Sequence, residues 1–146
     1  MSSKPILYRT SLDWTESHQG VIRSPKKTDV AVTCPPPFCD VDTLWSPEEF
    51  FVGSIEMCLM MTFIWMAERG KLEFLAYSSR AEGRVEILDG KARFTKVDVY
   101  PRIETADAAA AKKTERLLRA AEKNCLIGNS ITTEVEVHAE IVARGG

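Results

Sequence analysis

The sequence predicts an α+β fold with the element order β-β-β-α-β-β-α-β, two main helices packed on largely antiparallel sheets. Three features carry this reading. A strongly capped apolar helix starts near Ser46, two long strand-like segments meet at Asp89-Gly90, and a strictly alternating segment closes the chain. At 146 residues the whole chain, 1–146, is expected to be one domain, large enough to bury a core without covalent staples.

The first strand is expected over Ile6 to Trp14, where Ile6, Tyr8, Thr10, Leu12 and Trp14 fall on one side, the pattern of a half-buried strand. Ser17-His18-Gln19-Gly20 reads as a turn, Val21 to Ser24 as a short strand, Pro25-Lys26-Lys27 as a second turn, and Asp29 to Thr33 as the third strand. A proline-rich irregular stretch, Cys34 to Leu44, leads into the first helix. There Ser46 and Glu49 stand at capping-box spacing, so that each side chain reaches the other's backbone N–H. Pro47 occupies the first helical position, where a missing N–H costs nothing. The apolar run continues without a breaker to about Ala67, and Gly70 ends it.

Leu72 to Leu88 and Lys91 to Ile103 form two long strands, and Asp89-Gly90 between them favours a type I′ hairpin turn. Thr105 or Asp107 can cap a second helix, Ala106 to about Asn124, rich in Ala, Lys, Glu and Leu. Gly128 or Asn129 is placed to end it. Thr132 to Val142 is the clearest strand, with Val135, Val137, Ala139 and Ile141 facing one way and Glu134, Glu136, His138 and Glu140 the other.

Charge and composition narrow the function classes. Hydrophobic residues make up 45% of the chain, as in a globular protein, and the net charge is −2. That balance argues against a strongly electropositive nucleic-acid surface, and no zinc-finger, helix-turn-helix or RNP-type motif reverses it. No nucleic-acid partner is expected. Met1-Ser2-Ser3-Lys4-Pro5 lacks the apolar run of a signal peptide, and no segment holds about 18 consecutive apolar residues, so no membrane partner is expected and the cytoplasm is the expected location.

The first helix carries Phe50, Phe51, Val52, Ile55, Met57, Leu59, Met60, Met61, Phe63, Ile64, Trp65 and Met66, which leaves almost no polar face. A helix apolar all round needs burial on all sides, and one domain of this size rarely supplies it. A second copy of the chain is the simplest cover, so a homodimer is expected.

Four cysteines, Cys34, Cys39, Cys58 and Cys125, must be read against a reducing compartment, where catalytic or metal-binding thiols outnumber disulfides. Cys34 and Cys39 flank a stiff proline run, Cys34-Pro-Pro-Pro-Phe-Cys39, whose spacing poorly matches common zinc knuckles, and they read as incidental residues of a rigid loop. Cys58 sits in the middle of the apolar helix. Leu117, Ala121 and Cys125 share one face near the end of the second helix. Residue chemistry leaves two readings open. Cys58 and Cys125 are a redox pair if their Cα atoms come within about 7 Å, or both are buried as small hydrophobes.

Ser-Pro-Glu-Glu-Phe-Phe, followed by a helix with a cysteine ten residues after the first glutamate, resembles the OsmC/Ohr family of osmotically induced protein C and organic hydroperoxide resistance proteins. Ala-Glu-Lys-Asn-Cys125-Leu-Ile-Gly-Asn-Ser resembles that family's second cysteine motif, and the order of elements follows the family over nearly the whole chain. The resemblance implies an intertwined homodimer and a thiol-dependent peroxidase of organic or lipid hydroperoxides. In that chemistry Cys58 is peroxidatic, Cys125 resolves its sulfenic acid as a disulfide, and an external dithiol reduces the disulfide; no cofactor or metal is expected.

The attacking species must be the thiolate, yet a cysteine in mid-helix gains little from the helix dipole. A cation or a hydrogen-bond donor must therefore stabilise it. Glu48 matches the family's catalytic glutamate, but ten residues of helix rise about 15 Å. Glu48 can thus assist Cys58 only across subunits; otherwise it is a first-turn acid at the positive end of the helix. The resemblance also departs from the family. His18 stands where an arginine is expected two residues before Gly20, with Arg9 and Arg23 on the flanking strands, and Leu126 replaces the proline that usually follows the second cysteine. Met57, Met61, Phe63 and Trp65 would suit an alkyl substrate, or form core. The alternative function is a non-catalytic dimer of the same fold that binds an apolar ligand or senses oxidants through Cys58.

Overall fold

The structure, a computed structural model, describes residues 3–145; Met1 and Ser2, part of the N-terminal stretch read for a signal, lie outside the described residues. Its elements run β1 (Ser11–Glu16), β2 (Gln19–Arg23), β3 (Val30–Thr33), α1 (Pro47–Arg69), β4 (Ala76–Leu88), β5 (Lys91–Thr105), α2 (Ala108–Asn124), α3 (Leu126–Asn129), β6 (Glu134–Val137) and β7 (Glu140–Ala143). The chain divides into two compact units, Met1–Phe51 and Val52–Gly146, and α1 runs unbroken through the boundary.

In the first unit β1, β2 and β3 form an antiparallel meander. Both connections use non-glycine residues with positive φ, Ser17 at 47° and Lys26 at 65°. The first strand starts later than its alternation implies, and Leu12 and Trp14 are 65% and 75% exposed rather than half-buried. Alternation identifies two faces but not which is covered. Past β3, Thr33 N–H donates to Trp45 O at 2.9 Å, which brings the chain to the start of α1. The capping box forms as the spacing predicts. Glu49 N–H donates to Ser46 Oγ at 3.3 Å, and Ser46 N–H donates to Glu49 Oε1 at 3.0 Å. Ser46 is 1% exposed, so the cap is closed to water. The Trp45 and Phe50 rings stack with centroids 5.5 Å apart.

In the second unit α1 buries Ile55, Leu59, Phe63 and Ala67, a stripe of every fourth residue, while Met57, Met61 and Trp65 remain 57%, 54% and 54% exposed. Of the residues read as a substrate-facing stripe, Phe63 is therefore core: it is fully buried against the Phe74 and Tyr77 rings, 5.4 and 5.7 Å away. With a mean hydropathy of 1.7, α1 has the length and composition of a membrane span, which core helices share. It is seated closely on the sheet. A Cβ on Gly83 of β4 would lie 2.6 Å from Val52 Cγ2 and 2.7 Å from Phe94 Cε1, so the glycine is needed for the approach. The helix ends as Gly70 N–H donates to Met66 O and Leu72 N–H to Ala67 O, both at 2.8 Å; the left-handed residue is Lys71, φ 55°, rather than Gly70.

β4 and β5 form the long hairpin, and Asp89 and Gly90 have φ 51° and 76°, the two positive values a type I′ turn demands. The sheets are largely antiparallel, as expected, and the last strand is the exception. It divides into β6 and β7, and both run parallel to β5. Val99 pairs with Val137 and Arg102 with Glu140, so the register is the same before and after the gap. The interruption lies opposite Pro101, which has no N–H to give the ladder. The alternation is kept: Val135, Val137 and Ile141 are partly buried, and Glu134, Glu136 and Glu140 are exposed. Val97, Val99 and Ile103 of β5 are fully buried. On the opposite face Lys96 Nζ bridges Asp98 and Glu136 at 3.3 and 3.2 Å, and His138 Nε2 lies 2.8 Å from Asp98.

Asp107 is the N-cap of α2, its carboxylate accepting Ala110 N–H at 2.8 Å. Thr105 is instead buried in β5, where its hydroxyl donates to Val142 O at 3.2 Å. Replacing Ser46 with alanine removes the reciprocal cap of α1. The variant is expected to lose about 1 kcal/mol, read as a lower urea midpoint at unchanged slope.

Candidate thiol site

Cys58 lies in the fourth turn of α1, half-buried, and Cys125 is 5% exposed. The sequence places Cys125 at the C-terminal end of the second helix, which closes at Asn124 as expected. The structure adds a break that the sequence does not announce: Cys125 has φ −69° and ψ 114°, an extended conformation that caps α2 and leads into the single turn α3. Local bonds hold the break. Asn124 Nδ2 donates to Ala120 O at 2.8 Å, Asn129 Nδ2 to Lys123 O at 3.2 Å, and Asn129 N–H to Cys125 O at 2.9 Å. Gly128 and Asn129, expected to end the helix, belong to the turn after it.

The break has a chemical consequence. The first N–H groups of any helical turn have no partner within it. Those of Ile127 and Leu126, together with the Cys125 thiol and the Thr62 hydroxyl, favour the ionised Cys58 sulfur. Thr62 stands one turn along α1, with Oγ1 3.9 Å from Cys58 Sγ. Burial pushes the Cys58 thiol up, but the Ile127 N–H, the Cys125 thiol, Thr62 and the Leu126 N–H outweigh it and hold it below its ordinary range. Burial pushes the Cys125 thiol above its ordinary range, and the neighbouring Cys58 pushes the same way. The two thiols are thus polarised in opposite directions, one towards thiolate and one towards thiol. Sequence reasoning required a cation or a donor at Cys58; these donors are neutral. Thr62 is legible from its spacing of four residues, whereas the two backbone N–H groups carry no signature in side-chain identity.

Beside the pair, a cavity of about 220 Å³ is lined by Cys125 and by Ile55, Leu59, Val99, Val135 and Val137. Glu122 borders it, and burial raises its carboxyl above the usual range.

The remaining candidates fall as follows. Glu48 occupies the first turn of α1, and its Oε1 is buried with no hydrogen-bond partner among the described residues. Arg23 is engaged by Asp13 and Asp29 within its own sheet, and Arg9 is exposed. His18 is exposed in the β1–β2 turn, close to the sulfurs of Cys34 and Cys39. Those two cysteines are not incidental; they close a disulfide with Cα atoms 5.7 Å apart.

An α+β fold with one antiparallel and one mixed sheet, and with one cysteine in the long helix beside another at the end of the second, defines the two-cysteine class to which the motifs point. The OsmC-like protein family matches residues 41–140, and the chain belongs to that family. It is 28% identical over 107 residues to YmaD of Bacillus subtilis (strain 168), described as uncharacterised, covering 69% of each chain. Among solved structures it is similar to an OsmC-like protein of unknown function from Vibrio cholerae, with TM-score 0.82 and 22% identity over 94% of this chain and 100% of that one. An organic hydroperoxide resistance protein from Elizabethkingia anophelis aligns with TM-score 0.75 and 15% identity over 98% and 100%. OhrB of Bacillus subtilis, also an organic hydroperoxide resistance protein, aligns with TM-score 0.68 and 17% identity over 93% and 98%.

The polarity of the pair is measurable. Alkylation of Cys58 by iodoacetamide should fall away as the pH drops through a midpoint below that of a free cysteine measured alongside, while Cys125 stays slow. Thr62→Val deletes one donor and should move that midpoint upward; a parent midpoint at the free value contradicts the arrangement.

Proposed function

We propose that this protein is a thiol-dependent peroxidase of organic hydroperoxides, serving in defence against oxidative stress. The carrying observation is the Cys58–Cys125 pair at the junction of α2 and α3, with the Cys58 thiol held below its ordinary range and the Cys125 thiol above it. Membership of the OsmC-like family and the likeness to organic hydroperoxide resistance proteins support the reading.

In the proposed cycle the Cys58 thiolate attacks the distal oxygen of ROOH. The O–O bond breaks, the alkoxide leaves as ROH after taking a proton, and Cys58 becomes a sulfenic acid. The Cys125 sulfur then attacks the Cys58 sulfur, an S–S bond forms, and the sulfenic oxygen leaves as water. An external dithiol returns both sulfurs to thiols and is itself oxidised to a disulfide. The cavity beside Cys125 offers an alkyl chain the apolar side chains of Ile55, Leu59, Val99, Val135 and Val137, with Glu122, Asn129 and Thr133 at its polar side.

The same proposal includes a homodimer. Met57, Met61 and Trp65 lie on one face of α1, each more than half exposed, and a second copy would cover them. A partner would also answer two facts about Glu48. Ten residues of one helix separate it from Cys58, and its buried Oε1 lacks a partner in its own chain among the described residues. A buried carboxylate oxygen is costly without a hydrogen bond. In the proposed dimer Glu48 serves the site of the other subunit.

Stopped-flow consumption of cumene hydroperoxide with a dithiol tests the cycle. Cys58→Ser should abolish turnover. Cys125→Ser should keep the first, stoichiometric reaction and lose the rest. If Cys58→Ser turns over like the parent, the peroxidase reading is wrong. A disulfide that forms without turnover would favour an oxidant sensor. Sedimentation should give twice the 16.3 kDa chain mass at micromolar concentration, and a monomer there removes the cross-subunit role of Glu48.

A further inference from the structure

The disulfide between Cys34 and Cys39 has a third neighbour that the peroxidase cycle does not use. A ring nitrogen of His18 and the two sulfurs all lie within 4.8 Å of one another. The topology of the first unit explains why residues so far apart in sequence meet. β2 and β3 pair antiparallel with Gln19 opposite Thr33, which sets His18 and Cys34 at adjacent ends of the two strands. Thr33 Oγ1 donates to His18 O at 3.2 Å and pins that turn to the strand end. Beyond Cys34 the chain doubles back. The N–H groups of Phe38 and Cys39 both donate to Pro35 O, at 2.9 and 3.2 Å, and return Cys39 to Cys34.

We propose that His18, Cys34 and Cys39 form a binding site for a soft divalent cation, zinc by the chemistry of its ligands, whenever the Cys34–Cys39 disulfide is reduced. Two thiolates and an imidazole are a recurrent zinc set. Sulfurs about 2.3 Å from a tetrahedral ion stand about 3.8 Å apart, so the two sulfurs bonded here must part on reduction, while His18 already lies within 4.8 Å of both. The Cα separation of 5.7 Å suits a disulfide as well, so the same loop serves both states. A cavity of about 170 Å³ lined by His18, Cys39 and Asp40 leaves room for a water as fourth ligand.

The exchange balances. An external dithiol transfers two electrons and two protons, breaking the S–S bond and leaving as its own disulfide. The cation then displaces the two thiol protons and takes the lone pair of the neutral imidazole. A small disulfide oxidant reverses this by accepting the electron pair, re-forming Cys34–Cys39 and releasing the ion.

Titration of the phosphine-reduced, anaerobic full-length chain with Co(II), followed by competition with Zn(II), tests the site. One equivalent per chain should give thiolate-to-cobalt charge-transfer absorption and tetrahedral ligand-field bands, which Zn(II) then removes. Cys34→Ser and Cys39→Ser should each lose the tight equivalent, and His18→Gln should weaken it and shift the ligand-field bands. The double variant Cys58→Ser/Cys125→Ser should retain it. On the unmodified protein a small disulfide oxidant should release the bound zinc, which needs no variant to fold. Absence of a bound equivalent, binding that vanishes with Cys58 and Cys125, an unchanged His18→Gln spectrum, or zinc retained after oxidation would each overturn the proposal.

Discussion

A thiol inside an apolar helix can ionise readily only if something other than water solvates its sulfur, and the junction of α2 and α3 meets that need at Cys58. Cys58 lies within α1, the most apolar element of the chain, where burial favours the neutral thiol. What reverses the preference is a discontinuity elsewhere. α2 stops at Cys125 and restarts one residue later, and the restart exposes the N–H groups of Leu126 and Ile127. A continuous helix would have spent those donors on carbonyls one turn back. The break therefore turns backbone that a helix would consume into solvation for sulfur.

The second thiol gains from the same junction. As the residue between two helical segments, Cys125 is placed by backbone geometry, with side-chain amides of Asn124 and Asn129 closing the last carbonyls of α2. Substitutions at these asparagines would act on the chemistry through the position of the break, without touching either sulfur. The departure from proline after the second cysteine is consistent with this arrangement. Leu126 keeps an N–H that proline lacks, and that N–H is one of the donors to Cys58.

Elements set by neighbours along the chain are legible in the amino-acid sequence. The Ser46–Glu49 box, the type I′ turn at Asp89-Gly90 and the cap at Asp107 each depend on residues within four positions, and each forms as the local chemistry requires. Features set across the sheet are not legible in this way. The gap between β6 and β7 is imposed by Pro101 on the neighbouring strand, so its own segment reads as one clean alternation. The partnership of His18 with Cys34 and Cys39 depends on the register of β2 with β3, which no spacing along the chain encodes. At the thiol site both sulfurs and Thr62 can be found from side-chain identity, while the backbone donors cannot. Exposure of Leu12 and Trp14 shows the same boundary, since a period of two marks faces without saying which one is covered.

The gap opposite Pro101 also bears on how the folded chain meets its neighbours in a crowded solution. An uninterrupted strand along that side of β5 would offer a long ladder of unpaired amides to any passing extended segment, the usual nucleus of edge-to-edge aggregation. Here the ladder is two pieces of four residues each, with Glu134, Glu136 and Glu140 pointing outward between the apolar positions. A stray strand can match neither piece for long, and it meets negative charge as it tries. One missing N–H in β5 thus protects the rim of the sheet next to it.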